Sequence, residues 1–195
     1  MDSNISNSFR LVITGNPGVG KHTAAFELRK ILDLATIDIN ELAAKHHAFL
    51  VPPKGEIDSK KIATIIESRL GESQRTVIVG HLAPYVLKRE WIDLAVVLRR
   101  SPYAITTTLE NRKYSTKKIK ENVASEILGI TFYDSVQCFG NEKVAELDTT
   151  QSTPVEICEN IISLLNAKTT RKVGVVDWLS LVYEKGDVGR FLEYS

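Results

Sequence analysis

The heptapeptide Gly-Asn-Pro-Gly-Val-Gly-Lys at residues 15–21 restricts the fold of this chain more than any other sequence feature. It matches the phosphate-binding pattern G-x-x-x-x-G-K. An apolar run at residues 9–14 precedes it, and apolar residues at helical spacing follow it over residues 21–34. We therefore predict a buried strand, a phosphate-binding loop (P-loop) and a helix that begins at the end of that loop.

The residue types of this P-loop suit the phosphates of a nucleotide. Glycines allow the loop to curl so that successive backbone N–H groups point inward, and the helix N-terminus adds the positive end of its dipole. Lys21 supplies a full charge near the β and γ phosphates. We predict that ATP or ADP binds with its phosphates on the amides of residues 18–23. The predicted nucleotide-binding residues of the loop are Gly15, Asn16, Pro17, Gly18, Val19, Gly20, Lys21, His22 and Thr23.

Two positions depart from the residues that usually hold a metal ion beside such a loop. His22 stands where a Ser or Thr hydroxyl normally binds Mg²⁺, and histidine is a poor ligand for this hard cation. The apolar run at residues 76–79 ends in Val79, where an Asp commonly helps to hold the metal. We therefore predict no metal ligand from the protein. Mg²⁺ would rely on nucleotide oxygens and water alone, and phosphoryl transfer would be slow.

Short apolar runs alternate with helical patterns along the chain. Strands are predicted at residues 9–14, 35–39, 76–79, 94–98 and 144–148. Helices are predicted at residues 21–34, 41–49 (capped by Asn40), 58–70, from 101 onward, 117–137 and 153–166. Strands that are apolar on both faces are typical of a parallel sheet covered by helices. The predicted fold is an α/β three-layer sandwich of the P-loop NTPase type, with helices on both faces of the sheet.

The chain is predicted to divide into three parts. Residues 1–8 are polar and are expected to form a disordered leader, residues 9–168 the nucleotide-binding domain, and residues 169–195 a C-terminal extension. Asp177 is predicted to cap a short amphipathic helix in this extension, with Trp178, Leu181 and Val182 on its apolar face. That helix either packs on its own domain or binds a partner.

Composition and charge argue against several classes of protein. The 195 residues carry a net charge of +1, which does not favour a nucleic-acid binder, and we predict no sequence-specific DNA binding. No apolar run is long enough to cross a membrane. Cys138 and Cys158 lie in no metal-binding pattern. We expect a cytoplasmic protein with two reduced thiols and no membrane partner.

The order of several short motifs resembles the adenylate kinase isoenzyme 6 family, a family of ATPases or kinases that also act in maturation of the small ribosomal subunit. The P-loop resembles that family's P-G-x-G-K-[ST]-[ST] loop, with His22 as a departure. Residues 77–81 resemble its strand ending in D-x-H, with Val79 as a departure and His81 retained. The other matching motifs are Asp-Ile-Asn-Glu-Leu-Ala at residues 38–43, Val-Val-Leu-Arg at 96–99, Asn-Arg-Lys-Tyr-Ser-Thr-Lys-Lys at 111–118 and Glu-Asn-Val-Ala-Ser-Glu at 121–126.

This resemblance carries several implications. It implies five parallel strands, a nucleoside-monophosphate region at about residues 38–57 and a short lid at about residues 111–121. It implies that Arg112 contacts ATP and that His81 takes part in hydrolysis. It also implies AMP or another nucleoside monophosphate as a substrate and a small-subunit ribosomal protein as a partner. A protein GTPase is not indicated, because no N-K-x-D guanine-reading pattern occurs.

Four residues are candidates for catalysis: Lys21, His81, Arg99 and Arg112. Arg99 ends a strand at the carboxyl edge of the sheet, where ligands bind in such folds, but a surface salt bridge would also explain it. Arg112 can form bidentate hydrogen bonds with phosphate oxygens, or it belongs to a solvated, lysine-rich helix face. His81 can orient a water or accept its proton, or it is hydrogen-bonded at the sheet edge. Tyr114 is interpreted as a packing residue.

Two functions remain open at this point. The first is an ATPase with weak nucleoside-monophosphate kinase activity that uses the four candidate residues. The second is a nucleotide-binding assembly factor with little turnover that docks a partner, such as a ribosomal protein, in a nucleotide-dependent way. The replaced metal anchors favour the second function, whereas Lys21, His81 and Arg112 favour the first.

Overall fold

The computed structural model describes residues 6–48, 58–71, 73–167 and 169–193, in which strands and helices alternate. The strands are β1 (Phe9–Thr14), β2 (Ala35–Asp38), β3 (Arg75–Val79), β4 (Leu94–Arg99) and β5 (Val144–Asp148). The helices are α1 (Lys21–Ile31), α2 (Ile39–Lys45), α3 (Ser59–Arg69), α4 (Ala83–Val86), a 3₁₀ helix (Arg89–Trp91), α5 (Pro102–Asn111), α6 (Thr116–Ile127), α7 (Ile130–Phe139), α8 (Pro154–Leu165), α9 (Trp178–Glu184) and α10 (Val188–Leu192).

The five strands form one parallel sheet in the order β2-β3-β1-β4-β5. This confirms the predicted fold class. β1 is the central strand, between β3 and β4, so the loop that follows it opens in the middle of the carboxyl edge of the sheet. Ligands of open parallel sheets bind at that edge.

Hydrophobic clusters cover both faces of the sheet. Side chains alternate between the faces of a strand. On β1, Leu11 and Ile13 therefore join one cluster and Val12 joins the other. The first cluster receives apolar side chains from α1, α5, α6 and α8, and the second receives them from α2, α3, α4 and α7. The sheet thus lies between two helical layers, as the three-layer prediction requires.

Two local predictions were wrong. The helix predicted at residues 117–137 is two helices, α6 and α7, separated at Gly129, which has φ +65°. The chain turns there beside Arg99, whose guanidinium nitrogen Nη2 donates to the carbonyl oxygen of Glu126 at 2.7 Å. The N-cap of α2 is Asp38, not Asn40: its carboxylate accepts hydrogen bonds from the backbone N–H groups of Asn40 and Glu41.

The C-terminal extension packs on the rest of the chain. Asp177 caps α9 as predicted, accepting a hydrogen bond from the N–H of Ser180 at 3.0 Å. Val182 is fully buried and Phe191 is almost so, and both belong to the hydrophobic cluster that also contains α1. The extension therefore contributes to the core of the domain.

Some predictions fall on residues that the structure does not describe. These are residues 1–5 of the leader and residues 49–57 of the monophosphate region. Within the described ranges, none of the helices combines the length and the apolar character of a transmembrane segment.

Candidate nucleotide-binding site

The P-loop joins β1 to α1 at the centre of the sheet edge. Gly15 has φ +132°, and a Cβ atom there would lie 2.3 Å from the carbonyl oxygen of Leu98, so a side chain at this position would collide with β4. Gly20 is the N-cap of α1, and among the described residues no side chain caps this helix. The N–H groups of its first turn are therefore available to an anion.

A cavity of about 160 Å³ opens beside the P-loop and is lined by residues from four parts of the chain. Its lining consists of Pro17, Gly18, Gly20, Lys21, His22, Thr23, Asn40, His81, Arg112 and Tyr114. Three of the four catalytic candidates thus meet in one cavity. Six of the nine predicted P-loop residues line it; the other three, Gly15, Asn16 and Val19, are buried, and Val19 lines a neighbouring cavity.

Lys21 is the buried cation of this cavity. Its side chain is 5% exposed, and its Nζ atom donates a hydrogen bond of 2.9 Å to the carbonyl oxygen of Asn16. Burial lowers the pKa of Lys21 to about 8; the charge of Arg112 acts in the same direction, while Glu126 and Asp38 oppose the shift. A bound phosphate would restore the charged form, because a negative charge close to the ammonium group raises its pKa.

His81 follows β3 and reaches the same cavity. Burial, together with the positive charges of Lys21 and Lys118, lowers the pKa of His81 to about 4. The imidazole is therefore neutral near neutral pH. One of its ring nitrogens can then accept a hydrogen bond from a water or from an acidic hydroxyl group.

Two residues of the predicted lid, Arg112 and Tyr114, line the cavity. Arg112 follows α5 directly as its C-cap residue, with an exposed side chain. Its charge is close enough to lower the pKa of Lys21, although burial is the larger cause. Tyr114, interpreted from the sequence as a packing residue, also lines the cavity. These two residues therefore supply a cation and a phenol ring to the lining of this site.

The structure does not bring Arg99 to the cavity. This side chain is 3% exposed and lies between two buried carboxylates. Its Nε atom is 2.8 Å from Glu126 Oε1, and its Nη1 atom is 2.5 Å from Glu146 Oε1. The salt bridge considered as the alternative is present, but it is buried and not on the surface. Arg99 therefore stabilises the fold beneath the site.

The neighbouring Arg100, which the sequence did not single out, does reach the P-loop. Its Nη1 atom donates a hydrogen bond of 3.2 Å to the carbonyl oxygen of Gly18. It also lines a second cavity of about 180 Å³, which shares Gly20 and Thr23 with the first. On its far side this second cavity is bordered by the β5–α8 connection, including Thr149. The two cavities are thus neighbours at the P-loop, with Gly20 and Thr23 in the lining of both.

The metal-binding positions differ from those of a usual P-loop site. Val79 is 1% exposed in the core and offers no ligand. The imidazole of His22 is instead paired with Asp38, with Nε2 and Oδ2 2.7 Å apart. In the part of the chain that the structure describes, no group of three or more His, Cys, Asp and Glu residues is placed to hold a metal ion. A nitrogen ligand at position 22 does not suit Mg²⁺, which prefers oxygen.

Comparison with known proteins agrees with this geometry. Residues 11–129 match the family described as "AAA domain". A protein of Pyrococcus abyssi named "Putative adenylate kinase" is 36% identical over 176 residues, which cover 90% of this chain and 93% of that protein. A Methanocaldococcus jannaschii protein with the same name is 34% identical over 179 residues, with coverage of 90% and 96%.

A solved structure of another protein has the same fold. The shikimate kinase of Acinetobacter baumannii, solved with shikimate, superposes with a TM-score of 0.63 at 15% identity, over 83% of this chain and 95% of that one. At this identity the similarity establishes the fold alone. The sequence matches go further, because they extend over nearly the whole of both chains. The chain therefore belongs to this AAA-domain family, as a P-loop protein with an adenylate-kinase-like, nucleotide-binding kinase fold.

Proposed function

We propose that the chain binds ATP and transfers its γ-phosphoryl group slowly to a nucleoside monophosphate, with ATP hydrolysis as a side reaction. The observation that carries this proposal is the convergence of Lys21, His81 and Arg112 on one cavity at the N-terminus of α1. Backbone N–H groups and fixed cations that face one point are suited to the charge of a transferring phosphoryl group. The names of the archaeal relatives support AMP as the first acceptor to test.

In this proposal the two cavities beside the P-loop hold different parts of the nucleotide. The phosphates would lie on the P-loop next to Lys21, since the buried cation and the start of α1 face that cavity. The nucleoside would continue into the second cavity, which shares Gly20 and Thr23 and is bordered by Arg100. The acceptor would approach from the opposite side, where Asn40 of α2 lines the first cavity.

Each side chain then has a defined role in the transfer. An oxygen of the acceptor phosphate forms a bond to the γ-phosphorus while the bond from that phosphorus to the β–γ bridging oxygen breaks. Lys21 and Arg112 donate hydrogen bonds to the oxygens that carry the charge. Neutral His81 accepts a hydrogen bond from a water molecule, which accounts for hydrolysis when no acceptor is bound. Mg²⁺ bound to ATP would neutralise further charge on the β and γ oxygens.

The proposal is tested by calorimetry and by a kinase assay on the full chain. ATP and ADP should bind with one site, and the variant Lys21→Ala should bind them about 10- to 100-fold more weakly, since a hydrogen bond to a charged group is lost. ATP and AMP together should yield ADP. Unchanged affinity in Lys21→Ala would place the nucleotide elsewhere. Tight ATP binding with no ADP formed from any nucleoside monophosphate would exclude the kinase reaction.

The second candidate function is a cytoplasmic, nucleotide-dependent assembly factor in small ribosomal subunit maturation. The replacement of both metal anchors, at His22 and Val79, favours it, because slow turnover gives a long-lived nucleotide-bound state. Capture of a small-subunit ribosomal protein that depends on ATP and fails with Lys21→Ala would support this function. Equal capture with and without nucleotide would exclude a nucleotide-dependent role.

A further inference from the structure

Asp38 places a carboxylate one strand away from the usual metal-anchoring position. In the parallel pairing of β2 with β3, Asp38 is the partner of Val79. Both residues end their strands at the carboxyl edge, on the side of the P-loop. Val79, where P-loop proteins commonly carry an acid, points into the core. The adjacent strand therefore supplies an acid at the same level of the sheet.

The carboxylate of Asp38 is held in a fixed orientation. Its Oδ1 atom accepts hydrogen bonds from the N–H groups of Asn40 and Glu41, at 2.9 and 3.1 Å. Its Oδ2 atom is left for His22, whose Nε2 atom lies 2.7 Å away. The His22 side chain is 61% exposed and lines the phosphate cavity, whereas Asp38 lines a neighbouring cavity with Glu41 and Arg69 and meets the phosphate cavity through His22.

The two donor atoms belong to different chemical classes. Imidazole nitrogen suits borderline cations such as Mn²⁺, Co²⁺ and Zn²⁺ better than Mg²⁺, whereas carboxylate oxygen binds all of them. Two ligands of one such ion are roughly 3 Å apart when each bond is about 2.1 Å. The distance between His22 Nε2 and Asp38 Oδ2 is close to that value, so a small side-chain shift would let both atoms face one ion.

We propose that His22 Nε2 and Asp38 Oδ2 are the protein ligands of a borderline divalent cation, of the Mn²⁺, Co²⁺ or Zn²⁺ class, which bridges to the phosphate oxygens of a nucleotide on the P-loop. This site rests on the proposed nucleotide binding. The nucleotide supplies the remaining ligands, which explains why two protein donors suffice. Mg²⁺ then gains only the carboxylate of Asp38 and not the imidazole of His22, and the metal preference of this chain differs from that of P-loop proteins with a hydroxyl at position 22.

Calorimetry of ADP binding separates this proposal from the one on which it rests. ADP in EDTA tests the nucleotide site alone. With metal added, and after correction for metal bound to free ADP, Mn²⁺ should tighten ADP binding by about tenfold or more relative to Mg²⁺. His22→Thr should remove most of that difference. Absence of ADP binding in every medium would overturn the proposed function, whereas ADP binding with equal effects of Mn²⁺ and Mg²⁺ would overturn the metal site only.

Pulsed electron paramagnetic resonance of the Mn²⁺–ADP complex identifies the ligands directly. The full chain should show ¹⁴N modulation from a coordinated imidazole, which His22→Thr removes and His81→Gln retains. Asp38→Asn keeps a side chain that caps α2 well but should weaken Mn²⁺ binding in the ADP complex, measured as the tightening of ADP binding by Mn²⁺ relative to ADP in EDTA for the same variant. A complex without ¹⁴N modulation, modulation that persists in His22→Thr, or unchanged Mn²⁺ affinity in Asp38→Asn would each overturn the assignment.

Discussion

The side-chain amide of Asn16, within the P-loop, donates a hydrogen bond of 2.8 Å to the fully buried carboxylate of Glu126 on α6. The same carboxylate accepts hydrogen bonds from Arg99 Nε and from the indole N–H of Trp178. Through Arg99 the network continues to Glu146 on β5. One buried carboxylate thus links the P-loop, the end of β4 and the C-terminal extension.

Neutralising this carboxylate should destabilise the whole domain. In Glu126→Gln, Arg99 loses one of its two buried charged partners, and the amide group cannot accept all the hydrogen bonds that the carboxylate accepts. We expect the free energy of unfolding to fall by roughly 3–5 kcal/mol in urea denaturation. The matched control is Glu142→Gln: its ion pair with Arg89 is more than half exposed, so the expected loss is below about 1 kcal/mol. Similar losses in both variants would contradict this account.

Nucleotide affinity should depend on pH through Lys21. Burial lowers the pKa of Lys21 to about 8 in the free protein, and bound phosphates favour its charged form. Below pH 8 the lysine is already charged, so affinity should be flat; above pH 8 binding must first add a proton, and affinity should fall by about tenfold per pH unit. Calorimetry of ADP binding between about pH 7 and pH 9.5 measures this slope. Lys21→Ala should bind weakly with no such slope, and an equally steep slope in that variant would exclude Lys21 as its source.

The pKa of His81 should rise when a nucleotide binds. Burial, followed by the charge of Lys21, lowers the pKa of His81 to about 4. A phosphate group near Lys21 offsets that positive charge, so ADP should raise the pKa of His81 toward its ordinary value. A titration of the histidine ring signals by nuclear magnetic resonance, assigned with His81→Gln, measures both values. An identical pKa with and without saturating ADP would place His81 outside the reach of the phosphates.

Removing the C-terminal extension should unfold or strongly destabilise the domain. Truncation after Lys168 deletes the buried side chains of Val182 and Phe191 and exposes the core that they cover. A large fall in melting temperature is expected. Because the truncated chain can aggregate, Val182→Ala provides a milder test, with an expected loss of about 2 kcal/mol. Tyr183→Ala, at a residue 75% exposed, should change stability by less than about 0.5 kcal/mol. A truncated chain that melts at the wild-type temperature would favour a partner-binding extension.

The strands and the P-loop were predictable because their signals are local. An apolar run of strand length, such as residues 94–98, has one interpretation when turn residues and helical patterns surround it. The caps Thr153 and Asp177 are local in the same sense, since each accepts a hydrogen bond from a residue three positions later. The positions of Lys21 and His81 at the carboxyl edge of the sheet were predictable, because a motif fixes each of them relative to a strand end.

The features that were missed depend on tertiary contacts. The pairing of His22 with Asp38 requires β2 to lie beside β3, and the sequence does not give the strand order. The break between α6 and α7 lies at Gly129, which has φ +65° and packs beside the buried guanidinium of Arg99, whereas an isolated glycine in a helical pattern does not by itself predict a break. The sequence also does not show which of Arg99 and Arg100 reaches the P-loop. That depends on tertiary contacts, because the buried carboxylates of Glu126 and Glu146 bind Arg99 and leave Arg100 to contact Gly18.

Arg112 and Arg99, two arginines first considered for the same role, should respond to substitution in opposite ways. Arg112 is exposed and lines the phosphate cavity, so Arg112→Ala should leave stability nearly unchanged. Its loss should lower kcat for ADP formation from ATP and AMP by about 100-fold or more, with a smaller effect on KM, because its hydrogen bonds strengthen as charge develops in the transition state. Arg99→Ala leaves the carboxylates of Glu126 and Glu146 buried without their cation, so it should cost roughly 3–5 kcal/mol of stability.

Lys117→Ala is the matched control for this comparison. Lys117 is an exposed cation on the first turn of α6, close in sequence to Arg112 but outside the cavity lining. Its removal should leave both kcat and stability close to the wild-type values, since an exposed charge is screened by water. Equal loss of kcat in Lys117→Ala and Arg112→Ala would mean that the lid acts through its overall positive charge. A large loss in Arg112→Ala alone would mean that this one guanidinium meets the transferring phosphoryl group.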